Sequence, residues 1–184
     1  MTTTLTNLFR GQLLRFTASY PGDAEQMSRF SENFDYLANL DTDYAVPQAV
    51  HAFKETESRN PSGVEFMLRP LDNDKLIGFV ALFRIEWNNQ AARLAIGIGD
   101  PDNRGKGYGA DALQMILRYG FMELNLHRIG LDVIEYNDRA IRAYMKAGFV
   151  EEGRMRASVK RGGTYYDRII MSVLKDEWQI HNNN

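Results

Sequence analysis

The sequence predicts a single-domain α/β protein (α+β mixed), with a mixed central sheet of about seven strands and helices on both faces. Three observations predict it. Short apolar runs recur between turns rich in Gly, Pro and Asn, as strands do. In mid-chain, Leu113, Ile116, Leu117, Gly120, Phe121 and Leu124 repeat at helical spacing and mark a long helix with one buried face. Finally, 184 residues with 44% hydrophobic content suffice for one domain with a real core.

The elements follow in order. Residues 12–18 read as a strand, stopped by Pro21-Gly22. Asp23 is placed to cap a helix carrying Ala24, Met27 and Phe30. A shorter helix runs over residues 47–57, opened by Pro47. Turns at Asn60-Pro61-Ser62-Gly63 and Leu71-Asp72-Asn73-Asp74 bound strands at 64–69 and 76–87. Asn88-Asn89 turns the chain into a strand at 91–99, and the long helix comes next. A strand at 128–135 precedes a helix that starts at a cap on Asn137 or Asp138 and stops at Gly148. Two closing strands, 151–160 and 164–174, turn at Gly162-Gly163. The whole of 1–184 is expected to be one domain, with about 1–10 and 179–184 as flexible tails.

Bulk properties narrow the function. A formal charge of −2 implies no general attraction to nucleic acid or to a membrane surface. Without cysteine there is no disulfide, thiolate metal site or cysteine nucleophile, which suits the cytoplasm. His51, His127 and His181 are too scattered for a metal-ligand spacing, so no metal is expected. The chain has no 18-residue apolar run, and its Thr-rich start lacks the regions of a signal peptide.

Between the 91–99 strand and the long helix lies Asp100-Pro101-Asp102-Asn103-Arg104-Gly105-Lys106-Gly107-Tyr108-Gly109. Alternating glycines at a helix start leave backbone N–H groups uncovered, at the positive end of the helix dipole. Arg104 and Lys106 add two cations, completing a cradle for a diphosphate. No G-x-x-x-x-G-K-[ST] is present, which disfavours a P-loop nucleotidase. Gly105-x-Gly107-x-x-Ala110 satisfies the dinucleotide pattern formally, with Asp132 about where a ribose-binding acid would fall. That fingerprint belongs directly after the first strand of a long alternating chain, however, and here a Pro-containing linker intervenes. Within the preceding strand, Gly97 and Gly99 flank Ile98, and such glycines mark a bulge or a close backbone approach.

Arg104-Gly105-Lys106-Gly107-Tyr108-Gly109 resembles the [RQ]-x-x-G-x-[GA] acetyl-coenzyme A loop of the GNAT N-acetyltransferase superfamily. The stretch from Asn137 through Ala140 and Tyr144 to Gly148-Phe149 is similar to that family's N-x-x-A-x-x-x-Y-x-x-x-G-F helix. A third block, from Glu152-Gly153-Arg154 through Gly163-Thr164-Tyr165-Tyr166-Asp167 to Glu177-Trp178, resembles the C-terminal hairpin of the RimJ/RimL-like branch. That branch holds ribosomal-protein N-terminal acetyltransferases, with spermidine N-acetyltransferases nearby. Together the blocks cover roughly residues 75–178.

The resemblance implies an acyl-CoA N-acyltransferase fold with a splayed strand pair at the cofactor site. It implies transfer of acetyl from acetyl-CoA to a primary amine by direct attack. The acceptor order it suggests is a protein N-terminal α-amino group, then a small amine such as a polyamine. Gly97, Ile98, Gly99, Arg104, Gly105, Lys106, Gly107, Tyr108, Gly109 and Asn137 are the expected cofactor contacts, and Tyr144 the acid for the leaving thiolate. Tyr144 also lies at core spacing with Ile141 and Gly148, and Asn137 also suits a helix cap. A homodimer is among the expectations, because dimers are common in the branch.

Several members carry a glutamate base on the cofactor strand, where this sequence has Leu94. Glu86, Asp100, Asp132, Glu135 or a chain of waters would have to substitute. The acidic run Asp23, Glu25, Glu32, Asp35, Asp41 and Asp43 suits a basic acceptor or simply a solvated helical face. Phe30, Phe34, Tyr36 and Tyr44, interspersed there, are expected to close the core or wall the cleft. A non-catalytic acyl-CoA-binding regulator is the second class of function, and a nucleotide-dependent oxidoreductase the third.

Overall fold

The computed structural model describes residues 7–56 and 63–183. Along the chain the elements are β1 (Leu14–Thr17), α1 (Asp23–Ser31), α2 (Phe34–Leu40), α3 (Val50–Thr56), β2 (Val64–Pro70), β3 (Gly78–Glu86), β4 (Ala91–Ile98), α4 (Tyr108–Met122), β5 (Arg128–Ile134), α5 (Asp138–Lys146), β6 (Val150–Arg161), β7 (Thr164–Leu174) and α6 (Lys175–Asn183). A 3₁₀ turn at Pro101–Asn103 precedes α4. The strands form one seven-stranded sheet in the order β1-β2-β3-β4-β5-β7-β6. Among the described residues only β4 and β5 pair in parallel, which follows from the helical crossover between them.

Burial divides along the pleat. On one face, Leu113, Ile116, Leu117 and Phe121 of α4 pack with Leu68, Leu82, Ile129, Leu131 and Val173 of the sheet, all at most 1% exposed. On the other face, Met27, Phe30 and Tyr36 of α1 and α2 cover Met67 and Leu76. Leu68 and Met67 are adjacent on β2, so they point to opposite faces and each helical layer receives one. The expected glycine stop after α5 is present, with Gly148 at φ +99°.

The ends of the N-terminal helices differ from expectation. Gly22, at φ 96°, is the residue that precedes α1, while Asp23 opens the helix and accepts the Tyr20 N–H at 2.7 Å. Its carboxylate also meets Arg69 at 2.5 Å in an ion pair that is nearly fully buried, so its first task is to pin α1 to β2. Helix α2, which the apolar spacing does not announce, starts from Asn33, whose side chain accepts the Tyr36 N–H at 3.0 Å. Phe34 and Tyr44, at 66% and 81% exposed, neither close the core nor wall the cleft, whereas Phe30 and Tyr36 are buried. Helix α6 extends into the stretch expected as a tail.

The sheet is forked. β4 and β5 are paired only through Ala91↔Arg128, Ala92↔Ile129 and Arg93↔Gly130. Beyond that rung β4 stays with β3 as far as Ile98, and β5 stays with β7 as far as Ile134. Of the two alternatives for Gly97, a bulge or a close backbone approach, the bulge is absent: Gly97 pairs in register with Phe79, and the irregularity falls at Phe83–Glu86 on β3. Gly97 is instead a close-approach residue, since a Cβ there would lie 2.7 Å from the Tyr36 hydroxyl and 2.9 Å from both Leu40 and Phe79.

The start of α4 is anchored from behind. Asp111, in its first turn, accepts the backbone N–H groups of Gln12 at 3.0 Å, Leu13 at 2.8 Å and Leu14 at 2.9 Å.

Candidate active site

A cleft of about 370 Å³ opens in the fork between β4 and β5. Its walls come from β4, β5, the start of α4, one face of α5 and the exit of α2. Residues 94–98 have no ladder partner on β5, which leaves one backbone edge of β4 available to a ligand.

At the outer end the glycine loop runs into α4. Gly105 and Gly107 adopt φ +74° and +86°, a region that favours glycine. A Cβ at Gly105 or Gly109 would meet nothing within 4 Å, so the backbone there is bare. Gly107 precedes α4 without any side-chain cap, leaving first-turn N–H groups to an outside acceptor. Arg104 lines the cleft and is ion-paired with Asp35 of α2.

At the inner end Tyr144 reaches in from α5, its ring packed on Phe149 with centroids 5.7 Å apart. Burial pushes its phenol up to about 12. Asn137 serves both readings of its position: Oδ1 accepts the Ala140 N–H at 3.2 Å as a helix cap, and the residue lines the cleft. Its Nδ2 donates to the Asn39 carbonyl at 3.3 Å, tying α5 to the end of α2.

The fork thus brings together Gly97, Ile98, Arg104, Gly105, Gly107, Tyr108, Gly109, Asn137 and Tyr144. Two expected contacts stand apart. Gly99 is not in the cleft wall; its N–H donates to the Ile77 carbonyl at 2.9 Å, and a Cβ there would collide with the Phe30 ring at 2.1 Å. Its glycine is therefore required by packing. Lys106 is exposed on the loop and also outside the cleft wall.

Of the carboxylates weighed as bases, only Asp132 lines the cleft. It is ion-paired with Arg93 and, at 3.7 Å, with Arg168. Glu86 accepts from Asn89 at the β3–β4 turn, and Glu135 from the Asp167 N–H at 2.8 Å. Asp100 accepts the Asp102 N–H at 2.9 Å and pairs with Lys75; that backbone hydrogen bond, then Lys75 itself, holds its carboxyl below the ordinary value. Among the described residues no cluster of His, Asp or Glu is placed to hold a metal ion.

Three cleft residues carry buried polar atoms without a hydrogen-bond partner: Tyr36 Oη, Asn103 Nδ2 and Arg104 Nε. Buried polar groups are nearly always satisfied. Three such atoms on one cleft, beside bare loop amides and an open strand edge, fit a ligand that carries amides and phosphates. Asn39 and Thr42 of this wall, and Asn103, were not legible as site residues, because α2 has no motif and enters the cleft only through the tertiary fold; of the four interspersed aromatics expected to close the core or wall the cleft, Tyr36 lines it.

The sequence pattern of the acetyltransferase (GNAT) domain matches residues 13–150. The chain belongs to the GNAT acetyltransferase family. It is an acetyl-CoA-dependent N-acetyltransferase. The chain is similar to the probable N-acetyltransferase YjcK of Bacillus subtilis, 32% identical over 166 residues, covering 84% of this chain and 90% of that protein. It is also similar to the putative ribosomal N-acetyltransferase YdaF of the same organism, 26% identical over 167 residues, covering 86% and 90%. Among solved structures, spermidine N-acetyltransferase from Vibrio cholerae in complex with CoA and spermine superposes with a TM-score of 0.81 at 26% identity, covering 90% of this chain and 98% of that one.

Proposed function

We propose that the acceptor is a molecule with a single primary amine, foremost a protein N-terminal α-amino group. The observation that carries this reading is the charge of the cleft. Its charged wall residues are Arg93, Arg104 and Arg139 against Asp41 and Asp132, and Asp132 is already shared between Arg93 and Arg168. With Arg104 drawn off by Asp35, the wall offers a polyamine bearing several positive charges no excess of carboxylates. Three of the six carboxylates of the acidic N-terminal run are already engaged, Asp23 with Arg69, Glu25 with Lys54 and Asp35 with Arg104.

Acetyl-CoA supplies a thioester carbonyl that a neutral amine attacks directly. In our reading the bare amides at Gly105–Gly109, with Arg104, bind its diphosphate, and Asn137 contacts it from α5. A backbone N–H on the free edge at Gly97 and Ile98 or nearer the fork stabilises the developing oxyanion. Tyr144 holds its proton throughout the neutral range and donates it toward the departing sulfur, and the proton shed by the attacking nitrogen restores the phenol through solvent. Asp132, the base candidate that lines the cleft, is occupied by Arg93 and Arg168, so in our reading the amine arrives already neutral. An α-amino group, with a pKa of about 7.7–8.0, meets that requirement near neutrality, whereas a lysine-like amine at about 10.4 does not.

Acetylation of a polyamine is the competing reading, supported by likeness to the Vibrio enzyme. Initial rates of CoA release decide between them, using peptides with a free α-amine and blocked lysines alongside spermidine and spermine. A higher kcat/KM for spermidine than for every peptide overturns the proposal. CoA binding without turnover on either panel points to a regulator instead. Among the described residues no helix is long and apolar enough to cross a membrane, and we propose a cytoplasmic protein. A homodimer is the proposed assembly, to be tested by light scattering.

A further inference from the structure

Tyr36 is 5% exposed, yet its hydroxyl makes no hydrogen bond. It is not loosely placed. Its N–H is fixed by the Asn33 cap, its ring packs on Phe30 with centroids 6.1 Å apart, and its hydroxyl lies against the backbone of Gly97. Burial, then the Glu65 carboxylate, pushes the phenol up, so it is a neutral donor. Tyr36 and Leu40 form the partition between the cleft and a second cavity of about 200 Å³ beneath α1, α2 and α3. A rigid partition with an unsatisfied donor, set beside the free edge of β4, is arranged to receive an acceptor atom from the cleft side.

We infer that the Tyr36 hydroxyl is a binding contact for an amide of the pantetheine arm of acetyl-CoA, supplied by α2 across from the free edge of β4. The inference rests on the assignment of the cleft to that cosubstrate. Gly97 then has a reason beyond packing: any side chain at that position would drive the hydroxyl out of the cleft wall.

The test is Tyr36→Phe, which keeps the ring and removes only the hydroxyl. Calorimetry compares CoA with adenosine 3′,5′-diphosphate, which carries phosphates but no arm. We expect CoA affinity to fall about five- to tenfold, as for one lost hydrogen bond in a buried site, with the diphosphate unaffected. Because an unsatisfied buried group is removed, the unliganded variant should melt at the same or a higher temperature. Unchanged CoA affinity overturns the inference, as does an equal loss for both ligands or a raised KM for the amine alone. A lower melting temperature with weakened binding of both ligands would mark Tyr36 as a packing residue and also overturn it. Failure of the native protein to bind CoA is a different outcome, which overturns the assignment of the cleft itself.

Discussion

Arg93 on β4 and Asp132 on β5 form an ion pair at the point where the two strands part, Arg93 being the last β4 residue paired with β5. The pair spans the base of the cleft, and Arg168 approaches the same carboxylate from β7. One side chain therefore both ties the fork and sets the charge seen by an acceptor.

Asp132→Asn should weaken the fork without changing how the amine loses its proton. Its partners are roughly a third exposed or less. Screening by solvent limits the loss to about 1 kcal/mol, read as a drop of about 2–4 °C in melting temperature. The midpoint of kcat/KM against pH should stay where the amine puts it. A midpoint that moves in the Asn variant would make Asp132 the base.

Tyr144→Phe should lower kcat about 100-fold and leave CoA affinity within twofold of native, as for a donor used on the leaving group. Stability gives an independent reading. A phenol at about 12 in the fold and about 10 unfolded contributes fully below pH 10 and loses that contribution as pH climbs through 12. Melting curves over that range should show a shallower alkaline decline for the Phe variant.

Arg104 is engaged by Asp35 before any ligand arrives. A diphosphate must compete with that carboxylate for the guanidinium. Asp35→Asn should therefore tighten CoA binding about two- to fivefold at low salt. Arg104→Gln should loosen it about tenfold or more. Gly107→Trp, at φ +86° and 3.1 Å from Leu13, should abolish saturable binding. Calorimetry on the three variants ranks them.

Glu152 contributes to the acid limb. The Arg128 guanidinium, then the Ser172 hydroxyl, holds its carboxyl at about 2. A depressed carboxylate contributes above its unfolded value, near pH 4.3, and that contribution disappears as pH falls through 2. Glu152→Gln should melt below the native protein at pH 7, and the two should converge toward pH 2. The pair is over a third exposed, so the gap at neutrality is small.

The strands, α4 and α5 were legible because their signals are local. Helical spacing from Leu113 to Phe121, the Asn137 cap and the Gly148 stop each act within a turn or two. The glycine loop at the start of α4 was legible for the same reason, its glycines requiring no distant partner. Gly99 shows where such reading fails: a glycine in a strand looks the same whether a ligand or the Phe30 ring approaches it. Asp132 shows the converse, because its two arginines come from strands far away in sequence and close only in the sheet. The wall supplied by α2 depends on where Asp23 and Arg69 pin α1, which no spacing reveals.

The three amides that Asp111 collects from Gln12, Leu13 and Leu14 have a practical consequence. Residues 12–14 are thereby linked to the helix whose opening turn lines the cleft. A purification tag or fusion partner joined upstream of these residues can therefore alter measured ligand affinity while every cleft residue is intact, and assays are better run with such additions placed elsewhere or cleaved.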